Sequence, residues 1–180
     1  MKAPNPNSNS IKIKITEEIL NAAKQAEQGI SINRTVASPY DILAGAIGEY
    51  CFAQYYYGDH TKAKVFETKG QTDFENGIEV KASAYPYRDG LNLLVRQDYA
   101  EKRKPTAYVQ TIIDLPKRGA PIEVGMDCII AGWATAEMID NAPHRDFGDK
   151  DGQPAGYDCH YIELFMLNPI ETLYTHLENV

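Results

Sequence analysis

The stretch that decides the fold is TDFENGIEVKAS, residues 72–83. The Asn-Gly pair at 76–77 is a strong turn signal, and the apolar run that follows it predicts a strand. Because side chains alternate along a strand, Glu79 and Lys81 are expected to point to the same face. Asp73 comes just before the turn. This stretch therefore predicts a hairpin that brings two carboxylates and a lysine together.

Two turn geometries are open at this hairpin. A two-residue turn pairs Asp73 with Val80 and leaves Asp73 on the face opposite Glu79. A three-residue loop with a left-handed Gly77 pairs Asp73 with Glu79 instead, so that both carboxylates and Lys81 share one face. The sequence allows both geometries, but the chemistry of a joint site requires the second or an equivalent bulge.

Two carboxylates and a lysine on one sheet face suit the hydrolysis of phosphodiester bonds. Hard oxygen ligands hold Mg²⁺, which lowers the pKa of its bound water and neutralises charge on the phosphate. The ammonium of Lys81 could orient that water or stabilise the transition state. An acid-x-Lys triplet alone is weak evidence, because a second one occurs at 67–69. Only the triplet at 79–81 follows a turn and faces an aspartate.

The rest of the chain predicts a mixed α/β domain with one central sheet flanked by helices. Residues 1–10 read as a disordered tail, and 11–180 as a single domain. In the helix predicted at 39–57, Glu49 falls at the edge of a buried arc formed by Leu43, Ala46, Tyr50, Ala53 and Tyr57. Further helices are predicted from Thr16 to Gly29, at 136–140 and from 168 onward. Strands are predicted at 11–15, 63–66, 72–74, 78–83, 91–96, 107–114, 127–135 and 159–167, with an exposed loop at 141–157.

The composition is that of an ordinary globular protein. Of the 180 residues, 43% are hydrophobic and 24% are charged, which suffices for one domain with a buried core. No apolar run is long enough for a membrane span, and the first ten residues lack the apolar core of a secretory signal. Three cysteines without a CxxC pair argue against a disulfide scaffold and against a cysteine zinc site. We therefore expect a cytoplasmic protein with no membrane partner.

Charge is distributed unevenly along the chain, whose formal net charge is −7. An acidic protein is at first sight a poor partner for nucleic acid. Residues 62–118, however, hold 11 Lys and Arg against 8 Asp and Glu, and the acidic excess lies in the rest of the chain. The acids crowded at 73–79 form either a solvated turn or a cation site. If a metal ion neutralises some of them, the middle of the chain becomes locally basic.

The order of these features resembles the PD-(D/E)xK nuclease superfamily, whose fold is restriction-endonuclease-like, with a central mixed β-sheet flanked by α-helices. The resemblance covers about residues 39–114: a helix with Glu49, a hairpin with Asp73 and the triplet at 79–81, then further strands. Thr72 stands where many members have a proline. The end of the chain looks, more loosely, like that of small phage or bacterial members.

This resemblance implies a Mg²⁺-dependent deoxyribonuclease, with Mn²⁺ as a substitute ion. Asp73, Glu79 and the carbonyl of Val80 would bind the metal, and Lys81 would act on the water. Glu49 would support the site or bind a second metal. Asp73, Glu79, Lys81 and Glu49 are thus the predicted catalytic residues, and DNA is the predicted partner.

The sequence leaves the roles of several other residues, and one alternative function, undecided. Lys102, Arg103 and Lys104 could contact DNA phosphates through sequence-independent electrostatics, or form a solvated loop. Gln110 could face the site or be a strand glutamine with its own hydrogen bonds. The alternative function is a non-catalytic nucleic-acid-binding or assembly module that keeps the nuclease fold. The sequence leaves open DNA against RNA, single- against double-stranded or branched substrate, endo- against exonuclease action, and whether a homodimer forms.

Overall fold

The structure is a computed structural model that describes residues 11–31, 38–65, 72–88, 90–149 and 151–180. The helices in these ranges are α1 (Glu17–Ser31), α2 (Pro39–Tyr57), α3 (Gln97–Lys102), α4 (Ala136–Asp140) and α5 (Leu173–Glu178). The strands are β1 (Ile11–Lys14), β2 (Ile78–Tyr85), β3 (Asn92–Arg96), β4 (Ala107–Asp114), β5 (Asp127–Ala134), β6 (His144–Arg145) and β7 (Cys159–Glu163). The tail predicted at 1–10 and the second triplet at 67–69 lie outside the described residues.

The larger of two sheets has the strand order β1-β5-β4-β2. It is mixed, because β2 runs parallel to β4 whereas the other neighbours are antiparallel. β4 lies inside this sheet, and seven of its eight residues are buried, as expected of an almost continuous apolar strand covered on both faces. β2 lies at an edge of the sheet, and its second side pairs with no strand among the described residues.

A second, antiparallel sheet has the strand order β3-β7-β6. The prediction of a single central sheet is therefore wrong, although the mixed α/β class with flanking helices is confirmed. The physical reason is the need for a cover on the second face of the larger sheet. Ile112 of β4 and Ile129 of β5 form an apolar cluster there with Leu93 and Val95 of β3.

The other face of the larger sheet is covered by α2, and α1 packs on α2. Both helices share a core with the inner residues of β2, β4 and β5. α2 begins as predicted, with Ser38 accepting a hydrogen bond from the Asp41 backbone N–H, and ends at a left-handed Gly58 with φ of 72°. The helix lies very close to the sheet at Gly48. A Cβ atom there would be 2.5 Å from the Ala82 Cβ.

The predicted buried arc of α2 is too narrow. Ile47, Cys51 and Phe52 are fully buried as well, whereas Tyr57 is 40% exposed. The reason is that α2 lies between α1 and the sheet, so that more than one of its faces is covered.

Several element boundaries also differ from the predictions. α1 continues past Gly29, because a single glycine inside a helix is tolerated. Residues 63–65 and 72–74 form no strand. Only the first half of the segment 159–167 is a strand, and the predicted loop at 141–157 contains β6. No helix within the described ranges is long and apolar enough to cross a membrane.

Candidate active site

The hairpin turn has the three-residue geometry. The Gly77 N–H donates to the Phe74 carbonyl at 3.0 Å, and the Phe74 N–H donates to the Ile78 carbonyl at 3.2 Å. Gly77 has a φ of 84°, the left-handed conformation that glycine adopts without strain. Phe74 therefore pairs with Ile78, which is the register that a joint site requires.

Asp73 lies at the free edge of β2, although its segment is not a strand. Its Oδ2 accepts a hydrogen bond of 2.7 Å from the Val80 N–H. The side chain thus takes the position in which the backbone carbonyl of a neighbouring strand would accept this bond. The N–H and C=O of one strand residue point to the same side. The Val80 carbonyl therefore also faces this edge, next to the Asp73 carboxylate.

Asp73 has a strongly perturbed pKa. Burial, and secondly the charge of Glu79, raise the pKa of Asp73 to about 6. The Val80 N–H, the charge of Lys81 and a side-chain hydrogen bond with Glu49 act in the opposite direction. These interactions bring together all four side chains that were predicted to be catalytic.

Glu79 and Lys81 lie side by side on β2, as the alternation of the strand predicts. The Lys81 Nζ is 3.5 Å from the Glu79 Oε1, and the Glu79 side chain is only 13% exposed. The Glu79 Oε2 is buried and accepts no hydrogen bond from the described residues. A buried carboxylate oxygen without a donor is costly, so this atom is a candidate ligand for a cation.

Glu49 reaches the site from α2. Its carboxyl forms the hydrogen bond with Asp73, which confirms the prediction that this helix brings Glu49 next to the hairpin. A hydrogen bond between two carboxyl groups needs one proton between them. This bond lowers the pKa of Asp73, as expected where Glu49 donates the proton and the Asp73 carboxylate accepts it.

Tyr108 is a neighbour of the site that sequence reasoning missed. It lies opposite Glu79 in the register of β2 and β4. Burial, and then the charges of Glu79 and Asp140, raise the pKa of Tyr108 to about 12, while Arg103 lowers it. Only the parallel register of β2 and β4 places Tyr108 next to Glu79, and no local sequence pattern indicates that register.

Gln110 lies next to Lys81 in the same register, but it is 2% exposed. Its Nε2 donates to the Thr111 carbonyl at 2.8 Å and to the Ser83 Oγ at 3.5 Å. Its amide is thus occupied by neighbouring strand groups. This arrangement matches a structural strand glutamine.

The basic run at the C-terminal end of α3 divides into three different environments. Arg103 extends to the site, with its Nη1 3.9 Å from the Glu79 Oε1. The Lys104 Nζ is held by both oxygens of Asp140, at 2.8 and 2.9 Å. Lys102 is exposed at the last turn of α3. Of these three residues, only Arg103 therefore contacts a carboxylate of the candidate active site.

Comparisons with known proteins add no identity. No family model matches the chain, and neither a curated protein nor a solved structure matches it. Only the chemistry of the site itself therefore indicates a function.

Proposed function

We propose that the protein is a metal-dependent nuclease that hydrolyses phosphodiester bonds in DNA at the Asp73 and Glu79 carboxylates. The observation that carries this proposal is the pair itself. Two acids lie close enough for Glu79 to raise the pKa of Asp73, and the Glu79 Oε2 accepts no hydrogen bond among the described residues. Lys81 lies beside them. Two buried carboxylates that repel each other destabilise the folded protein, and a bound cation would offset this repulsion.

The donors fit a hard divalent cation such as Mg²⁺, or Mn²⁺ as its substitute. In the described ranges, no group of three or more His, Cys, Asp or Glu side chains is placed to hold a metal ion. Mg²⁺ does not need such a group, because it is usually held by one or two carboxylates and keeps several waters. Asp73 and Glu79 supply the carboxylates, and the Val80 carbonyl faces the same edge. When bound, the ion would supply an activated water and neutralise charge on the phosphate.

Each side chain then has a distinct task. Lys81 would donate from its Nζ to the attacking water, or to a phosphate oxygen as its negative charge grows. Glu49 would orient the Asp73 carboxyl through their hydrogen bond. Arg103, which contacts Glu79, would turn towards a substrate phosphate. Val80 contributes only backbone groups.

Plasmid and linear DNA, incubated with Mg²⁺, Mn²⁺, Ca²⁺ or EDTA, test the proposal. We expect cleavage with Mg²⁺ and Mn²⁺, and none with EDTA. Ca²⁺ should bind without supporting cleavage, because its looser geometry positions the water poorly. Cleavage that continues unchanged in EDTA would contradict the metal-dependent mechanism.

A matched pair of variants locates the activity. Glu79→Gln keeps the shape of the side chain but weakens the cation site, and it should abolish cleavage. Glu75→Gln makes the same change at an exposed residue of the same turn and should leave cleavage intact. Binding of DNA without cleavage by the wild-type protein would favour the alternative, a non-catalytic module.

A further inference from the structure

The outer face of the second sheet carries an unusual arrangement of arginines and aromatic rings. Arg96 of β3 and Arg145 of β6 both lie opposite Cys159 of the central strand β7. The two arginines therefore occupy one row across the sheet, roughly 10 Å apart at a strand spacing of about 4.8 Å. They point away from the apolar core of this sheet, to which Leu93 and Val95 belong.

Each of these arginines packs against two rings. The Arg96 guanidinium carbon is 4.8 Å from the ring centre of Tyr99 and 4.0 Å from that of Tyr157. That of Arg145 is 4.2 Å from the Phe147 ring centre and 5.6 Å from that of Tyr161. We call this surface the arginine–aromatic face; it consists of Arg96, Tyr99, Arg145, Phe147, Tyr157 and Tyr161.

The rings of this face are open to a ligand. Tyr99 is 49% and Tyr157 is 42% exposed, so large aromatic surfaces meet water, although stacking on the arginines already orders them. An ordered, exposed ring loses little conformational entropy when a flat partner stacks on it. The face is thus suited to planar aromatic ligands.

One cation of the face is available to an anionic group. Arg145 is exposed and forms no salt bridge with any described acid. The nearby acids already have partners: Asp98 is bound by Arg96, Asp158 by His144, and Asp146 by three backbone N–H groups. Among the described residues, Arg145 is therefore the cation of this face that no carboxylate binds in a salt bridge.

The face is connected to the candidate active site through α3. Arg96 directly precedes this helix, and Arg103, which contacts Glu79, directly follows it. At 1.5 Å per residue the two arginines are roughly 10 Å apart along the helix axis. A DNA strand that lies across both arginines could place one phosphate at Glu79 and its next bases on the rings.

We propose that the arginine–aromatic face binds a single-stranded stretch of the DNA substrate, whose unpaired bases stack on Tyr99 and Tyr157. This inference rests on the proposed function, which supplies the kind of ligand. Bases expose their flat faces only where they are unpaired, and exposed aromatic rings with arginines are the surface that binds them without sequence preference. The protein should therefore prefer single strands, or duplexes with single-stranded ends, over intact duplex.

Fluorescence anisotropy in EDTA tests this without any need for cleavage. The probes are a labelled strand of mixed sequence and the same strand annealed to its complement, at one salt concentration. The double variant Tyr99→Leu/Tyr157→Leu keeps apolar bulk but removes both rings. We expect its affinity for the single strand to fall on the order of tenfold or more, with little change for the duplex.

Two further variants act as controls. Tyr174→Leu removes a ring that is 44% exposed and stacked on Tyr56, outside the arginine–aromatic face, and it should not change the preference for the single strand. Arg145→Gln, at an exposed position where misfolding is not expected, should weaken binding of the single strand several-fold. Equal affinity of the wild-type protein for both probes, or equal losses in the double variant and Tyr174→Leu, would overturn the proposal.

A separate cleavage assay with Mg²⁺ distinguishes the two proposals. If the preference for single strands depends on the rings but no DNA is cut, the nuclease proposal fails and the face stands as a binding surface. If the double variant cuts DNA and binds single strands like the wild type, the binding face fails and the nuclease proposal stands.

Discussion

Asp73 and Asp146 both use a carboxylate to bind backbone N–H groups in a turn, yet their pKa values move in opposite directions. Asp146 accepts three such bonds, from Gly148, Ala155 and Gly156, at 2.7 to 3.0 Å, and they lower its pKa. Asp73 accepts one, and burial and the Glu79 charge raise its pKa to about 6. A carboxylate that serves the fold is surrounded by donors. The one at the hairpin is buried beside a second acid, an environment that a cation would relieve.

The largest expected effect comes from making the same substitution at both aspartates. Asp73→Asn removes a proposed metal ligand, so we expect turnover to fall on the order of a thousandfold. The melting temperature should stay constant or rise, because a buried repulsion is lost and the asparagine oxygen can still accept the Val80 N–H. Cleavage rates and thermal melts measure both effects.

Asp146→Asn should behave in the opposite way, with turnover close to that of the wild type and a lower melting temperature. A single amide oxygen cannot replace two carboxylate oxygens that bind three N–H groups. If Asp146→Asn lost activity while Asp73→Asn kept it, the contrast between the two turns would be the reverse of the one proposed.

The second prediction concerns the cation beside the acids. Lys81→Met keeps most of the packing volume but removes the ammonium group, and turnover should fall on the order of a hundredfold. DNA affinity should change little, because one phosphate contact among several is a small part of binding. The control is the paired change Glu67→Gln/Lys69→Met in the other acid-x-Lys triplet, whose cleavage should stay within a few-fold. An inactive control beside an active Lys81→Met would mean that the site is misplaced.

The third prediction sharpens the comparison through pH. For Asp73 the folded-state pKa of about 6 lies above the ordinary 3.8, so the folded protein binds this proton more tightly than the unfolded chain. The resulting stability is present at low pH and is lost as the pH rises from about 4 to 6, by about 3 kcal/mol. For Asp146, whose pKa is lowered, stability is present above the ordinary pKa and is lost as the pH falls below it.

Denaturant unfolding of the metal-free protein from about pH 2 to 7 measures these contributions, with each Asp→Asn variant removing one of them. Mg²⁺ should raise the melting temperature more at pH 7 than at pH 5, because metal and proton compete for Asp73. Stabilisation by Mg²⁺ that is independent of pH would argue against Asp73 as a ligand.

The smallest effect is expected at the basic run. Arg103→Gln should weaken DNA binding a few-fold for all sequences and reduce the slope of log affinity against log salt by about one. Lys104→Gln should change both less, because Asp140 already neutralises this lysine. Titrations at several salt concentrations test the pair, and equal slopes for the two variants would contradict the distinction.

The hairpin could be predicted from sequence because its contacts are local. Asp73, Glu79 and Lys81 lie within one short segment, and the left-handed glycine fixes their register. The approach of Glu49 follows from its place on a helix wheel. These inferences need only the periods of strand and helix.

The remaining contacts depend on pairings between distant segments. Tyr108 meets Glu79 only because β2 and β4 pair in parallel, with β3 and α3 between them in sequence. The second sheet joins β3 to β7, near the end of the chain. No local pattern selects these partners, since several apolar strands of similar length compete for each edge.

The close contact of α2 with the sheet at Gly48 determines how near Glu49 comes to Asp73, because the contact is possible only without a side chain at position 48. A methyl group there would meet both Ala82 and Thr111 at 2.5 Å, so the helix would have to withdraw and carry Glu49 away from Asp73. Active sites tolerate such shifts badly, because about 1 Å of misplacement can cost on the order of a hundredfold in rate. Selection for the proposed activity would therefore preserve glycine at position 48 as strictly as the carboxylate at position 49.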